Sequence, residues 1–164
     1  MTVSIKNQQR LIKIDSQKIA SDSKRALRLL GLKETELSIL LVNDGMMRVL
    51  NSAYRGIDKT TDVLSFPQHK PSAFSIRHSA KKSSLVTCHS SLILGDIVIN
   101  LQAAKRQAEE HKFSFRDELR WLLVHGILHL IGYAHERSGY SAKKMREKER
   151  ELLTKIWKQE SPSL

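Results

Sequence analysis

Three of the seven histidines lie within eleven residues, in the segment His125-Gly126-Ile127-Leu128-His129-Leu130-Ile131-Gly132-Tyr133-Ala134-His135. On a helix, residues four apart stack on one face, one turn apart. His125 and His129 can therefore aim both imidazoles at one ion. Gly132 releases the chain from the helix, and His135, just beyond the turn, can fold back as a third ligand. Three neutral imidazoles around a zinc-like ion leave one tetrahedral position for water, as catalytic zinc sites do. One ion per chain is the expectation. The alternative is that one or two of these residues are ordinary core or surface histidines. The zinc protease pattern places Glu directly after the first His as general base. Here that position is Gly126, so a protease on this segment would lack its base.

Positioning two histidines one turn apart requires a rigid helix, and the flanking pattern supplies one. Ser114 and Asp117 resemble a capping box, followed by an apolar run from about Phe115 to Ile131, with Gly132 as the stop. The remaining chain mixes strand and helix signals. Val3–Ile5 alternates as a short strand. Asp15 or Ser16 can cap a helix to about Leu30, ended by Gly31, with Ile19, Ala26, Leu27 and Leu30 on one face. Leu37–Val42 is a short apolar run suited to a buried strand. Asn43 and Asp44 can cap a helix carrying Met46, Met47, Val49 and Leu50. Tyr54 to Asp58 is a polar turn, and Asp62–Phe66 alternates as a strand ended by Pro67. Leu92–Ile99 is another strand, Asn100 caps a helix to about His111, and a last helix spans about Ser141–Trp157. The predicted architecture is a single α+β domain over 1–164. A small mixed β-sheet is covered by helices, with the metal site at the end of a buried central helix.

Composition limits the partners. The chain of 164 residues carries 28 Lys and Arg against 17 Asp and Glu, a net charge of +11. Such a surface is drawn to polyanions, nucleic acid foremost. A basic surface without a specific partner is the other reading. Aromatic content of 5% argues against an extended platform of stacked bases. The one cysteine, Cys88, excludes an intramolecular disulfide and a Cys-rich zinc site. The first residues lack the apolar core of a signal peptide, and no run is long enough for a membrane span, so a cytoplasmic, membrane-free location is expected. Residues 68–91 hold Lys70, Arg77, Lys81 and Lys82 without an acidic residue. They read as a long basic loop, either inert or RNA-contacting.

The histidine segment resembles the signature of the YbeY family of endoribonucleases, also called rRNA maturation factors: His-Gly-x-x-His-Leu-x-Gly-Tyr-x-His. Further blocks are similar in order. They are Leu50-Asn51, Tyr54-Arg55 and Thr61 to Pro67, then Leu94-Gly95-Asp96-Ile97, then Met145 with Glu149. The chain departs from the family at Ala134, where Asp is usual, and at Thr60, where Pro is usual. The Ala134 change could loosen the site, and the Thr60 change would alter turn stiffness. Its basic loop is longer than typical. The resemblance implies one zinc ion held by His125, His129 and His135, with Arg55 and His125 as the catalytic candidates. It implies cleavage of single-stranded RNA in the maturation of ribosomal RNA, at the 16S rRNA 3′ end, and a part in ribosome quality control.

On that resemblance the metal lowers the pKa of a water, or polarises a phosphate attacked by a ribose 2′-hydroxyl. Arg55 pairs with the phosphate oxygens. Otherwise Arg55 forms a structural salt bridge with Asp58 or Asp62. Asp62 is expected to hold a turn, and Ser65 and Asp96 are lesser site candidates. Two rival readings stand. One is a ribosome-associated RNA-binding assembly factor with a structural metal, which a closed four-ligand site would favour. The other is a metal-dependent hydrolase of another substrate.

Overall fold

A computed structural model of the chain describes residues 1–68, 92–133 and 139–158. Most of the basic loop (69–91, with Cys88), and Ala134 and His135, lie outside the described residues. Among the described residues, nine elements follow in order. They are β1 (Thr2–Asn7), α1 (Ser16–Leu29), β2 (Thr35–Val42), α2 (Asp44–Arg55), β3 (Val63–Pro67), β4 (Leu92–Asn100), α3 (Leu101–His111), α4 (Phe115–Leu130) and α5 (Gly139–Lys158). The expected α+β class, with a small mixed sheet under helices, is what the chain forms.

The strands make one four-stranded sheet in the order β1-β2-β4-β3. β1, β2 and β4 run parallel, and β3 runs antiparallel on the β4 edge. Alternation along the strands sorts their side chains to two faces. Leu37, Ile39, Leu41, Ile97 and Ile99 join the main core with Leu27 of α1, Leu122, Leu123 and Ile127 of α4, and Leu152 and Ile156 of α5. The opposite face carries a smaller cluster of Val42, Leu64 and Val98, covered by Met47 of α2. So α4 and α2 lie on different faces of the sheet, with β3 as the edge between them.

Local chemistry sets the helix starts. Asp15, Asn43, Asn100 and Ser114 each cap a helix, the side-chain oxygen accepting from backbone N–H groups of the first turn. The last helix begins at Gly139, two residues before the sequence expectation, because the chain is helical ahead of its first apolar position.

Asp44 binds several elements together. Its carboxylate accepts both terminal nitrogens of Arg106 on α3 at 2.8 and 2.9 Å, Asn100 Nδ2 at 2.7 Å and the Thr60 hydroxyl at 3.3 Å. Asn100 also donates to the Thr60 hydroxyl. Thr60 is therefore a hydrogen-bonding link and more than a change in turn stiffness. The hydrogen bonds from Arg106, foremost, hold the Asp44 carboxyl at about 2 against a usual 3.8, outweighing partial burial, with Asn100 and Thr60 adding to it.

A carboxyl depressed in the folded state stabilises it above the unfolded pKa, and that stability is lost as pH falls through the folded value. The stability difference between wild type and Asp44→Asn, read from urea midpoints, is therefore expected to hold from neutral pH to about 4. It should then shrink between about 4 and about 2. Glu151, also held at about 2 by Lys148 and Lys155, titrates in the same window in both proteins and cancels. A difference that stays constant down to pH 2 refutes the ionic role of Asp44.

Candidate metal centre

α4 carries the histidine pair in its last two turns and lies flat on the main face of the sheet. Gly126 makes that approach possible. A Cβ there would stand 3.0 Å from both Ile97 Cδ1 and Cγ2 and 3.3 Å from Ser65 Oγ. The Ser65 hydroxyl donates to the Gly126 carbonyl at 3.3 Å, tying β3 to the helix. Ser65 therefore seats α4. The sequence placed it among possible site residues, and its contact explains why it lies near them.

The two imidazoles meet as the spacing predicts. His125 Nε2 and His129 Nε2 are 3.0 Å apart, with ring centroids at 4.6 Å and planes at 73°. The other nitrogen of His125, Nδ1, stands 2.7 Å from Glu149 Oε1 on α5. Glu149 is 6% exposed. As a carboxylate it accepts the Nδ1–H, which leaves the Nε2 lone pair of His125 turned towards His129. Trp121, one turn before His125, stacks on the imidazole at 5.1 Å and 28°. The ring is thus fixed by a carboxylate at its edge and an indole on its face.

Neither Glu149 nor Trp121 was assigned a role from sequence, yet both left a trace. Glu149 falls between Met145 and Leu153 on the apolar stripe of α5, where a carboxylate is costly to bury without a partner. Trp121 precedes His125 by four on the same helix face.

These residues fit a divalent metal. Two imidazole nitrogens around one zinc at about 2.0–2.1 Å stand roughly 3.3 Å apart in tetrahedral geometry. The observed separation lies within a few tenths of an ångström of that. A carboxylate on the far nitrogen is the usual orienting partner of a metal-binding histidine. The C-terminal end of α4 adds a partial negative charge that favours a cation there. Among the described residues no group of three or more His, Cys, Asp or Glu is arranged so that all could hold one metal ion, and the expected third ligand, His135, lies outside them. Replacing Glu149 with Gln is expected to lower zinc affinity about 10- to 100-fold while both imidazoles remain. Competition against a fluorescent chelator measures it, and unchanged affinity would remove Glu149 from the site.

The other sequence candidates sort clearly. Arg55 is exposed at the end of α2, across the β3 edge from the histidines, and no hydrogen bond or ion pair among the described residues joins it to them. It does not form the alternative salt bridge. Asp58 is taken by Arg48, with two bonds of 2.7 Å. Asp62 accepts from the Val63 N–H, the Thr61 hydroxyl and Gln107 Nε2, the turn-holding role expected of it. Asp96 accepts from Gln68 at 3.4 Å, away from the imidazoles. Among the described residues no helix is long and apolar enough to cross a membrane.

A family described as Endoribonuclease YbeY matches residues 4–157. The Endoribonuclease YbeY of Aquifex aeolicus is 40% identical over 153 residues, covering 90% of this chain and 91% of that protein. A chloroplastic Endoribonuclease YBEY of Arabidopsis thaliana is 40% identical over 129 residues, covering 78% of this chain but 20% of that longer protein. Among solved structures, the solution structure of a Thermotoga maritima protein superposes with a TM-score of 0.60 at 26% identity, covering 96% of this chain and 90% of that one. The chain belongs to the YbeY family of endoribonucleases.

Proposed function

We propose that this protein is a zinc-dependent endoribonuclease that cleaves single-stranded RNA. In this reading it works in the cytoplasm on ribosomal RNA and the ribosome, maturing the 16S rRNA 3′ end and supporting ribosome quality control. The observation that carries the reading is the pair of Nε2 atoms converging at 3.0 Å with a buried carboxylate behind one of them. Family membership supports the substrate class, and the net charge of +11 suits a polyanion.

His125, His129 and His135 would hold one zinc ion. When bound, it supplies Lewis acidity and a lowered water pKa at the phosphate. The chain's own residues do the rest. Glu149 accepts the Nδ1–H of His125 and so turns its Nε2 towards the metal position. Trp121 stops the ring from rotating. Arg55 reaches RNA from the α2 side of the β3 edge and pairs with phosphate oxygens, while the histidines approach from the α4 side. The RNA strand would then cross the sheet edge, held from both faces.

The test is metal analysis of the purified protein together with cleavage of a single-stranded RNA, with and without chelator. One zinc per chain is expected, with cleavage abolished by the chelator and restored by zinc. Cleavage that persists in metal-free protein overturns the reading.

A further inference from the structure

Aromatic residues are few in this chain, yet three of them, including both tryptophans, line one groove between α4 and α5. Phe113, Trp121 and Trp157 wall a space of about 310 Å³ together with Arg146, Glu149 and Arg150. That is at the lower end of the size of small-ligand sites, about 300–1,000 Å³. Trp121 and Glu149 are the two residues that fix His125, so the groove begins one side chain from the histidine pair.

Charge in the groove is unevenly engaged. Its two carboxylates are both satisfied. Glu149 accepts from His125, and Asp117 accepts Trp157 Nε1 at 2.9 Å and Arg120 at 3.3 Å. Its two guanidiniums are not. Arg146 and Arg150 are exposed, one turn apart on α5, and neither has an ion-pair or hydrogen-bond partner for its side chain among the described residues. The bond to Asp117 sets the plane of the Trp157 indole, which stays 38% exposed, and Phe113 stays 51% exposed. Fixed aromatic faces beside free guanidiniums are the combination that binds single-stranded nucleic acid, bases on the rings and phosphates on the cations.

We propose that this groove is a nucleotide subsite for the RNA strand. It takes one base of the substrate against Trp157 and Phe113 and the adjoining phosphates on Arg146 and Arg150, next to the point of cleavage. This rests on the endoribonuclease reading and extends it to how the strand is gripped. The low aromatic content of the whole chain led away from base stacking. What counts is the convergence of residues from the α3–α4 junction, α4 and the end of α5.

The test uses the zinc-loaded full chain and a short fluorescein-labelled single-stranded RNA, with binding read by anisotropy across a salt series. Trp157→Ala is expected to weaken binding about 5- to 150-fold, the range of one lost base stack, with an unchanged salt slope. Arg146→Gln/Arg150→Gln alters only exposed side chains. It is expected to weaken binding and reduce the slope of log affinity against log salt by about 1.4, for two single-strand phosphate contacts. In cleavage both variants should raise KM with kcat nearly kept. A control, Lys24→Gln/Arg28→Gln, removes the same charge at the same spacing from exposed positions of α1 and should leave binding close to wild type. Wild-type affinity in both groove variants, or an equal loss in the control, overturns the subsite while wild-type cleavage leaves the enzyme reading intact. Wild-type protein that neither binds nor cleaves the RNA overturns both.

Discussion

Replacing His129 with alanine is expected to empty the metal site and to lower RNA cleavage about 10³-fold or more. The magnitude follows from what a catalytic ion contributes. Stabilising the charge on a phosphate is worth several kcal/mol, and each 1.36 kcal/mol is tenfold in rate. The substitution leaves the fold intact, because His129 sits on the partly exposed face of α4 while Leu128 and Leu130 remain in the core. His125 keeps its bond to Glu149, so two of the three proposed ligands would remain and high zinc is expected to restore part of the activity. Zinc content after dialysis and single-turnover cleavage, measured on one preparation, check this. Full zinc occupancy in a folded His129→Ala protein sinks the assignment.

The second large effect is expected at Arg55. Arg55→Lys keeps the charge but loses the planar fork that engages two phosphate oxygens at once. Zinc content should be unchanged, since the residue lies across the β3 edge from the histidines. Affinity for RNA should fall little, because 28 Lys and Arg share the attraction. Cleavage in single turnover should fall about 10²-fold or more, as when one transition-state donor is lost. Asp58 is paired with Arg48, and Asp62 with Gln107 and the turn, so no ion pair with either residue is lost and stability should stay near wild type. Unchanged cleavage makes Arg55 a surface residue. Equal losses of affinity and cleavage would place it in ground-state binding.

Much of this was legible in the sequence because it is local. The caps Asp15, Asn43, Asn100 and Ser114 act on N–H groups two or three residues away, and the histidine pair depends only on helical spacing. What was hidden is long-range. Glu149 reaches His125 across 24 residues, Asp44 gathers Asn100 and Arg106 from 56 and 62 residues away, and Trp157 meets Asp117 across 40. No periodicity encodes such pairs, because they are set by how α2 docks on α3 and how α4 docks on α5. The aromatic groove was missed for the same reason, since composition counts residues without locating them.

The contact at Gly126 has a consequence for how this scaffold could change its chemistry. A peptidase of the helical two-histidine kind needs a glutamate directly after the first histidine. Here even the first carbon of that side chain would press on Ile97 at 3.0 Å from two atoms. Installing the base would require the Ile97 side chain to give way by a few tenths of an ångström. The route from one hydrolytic trade to the other therefore runs through the packing at Ile97 as well as through residue 126. A laboratory conversion would pair the new carboxylate with a smaller side chain at residue 97.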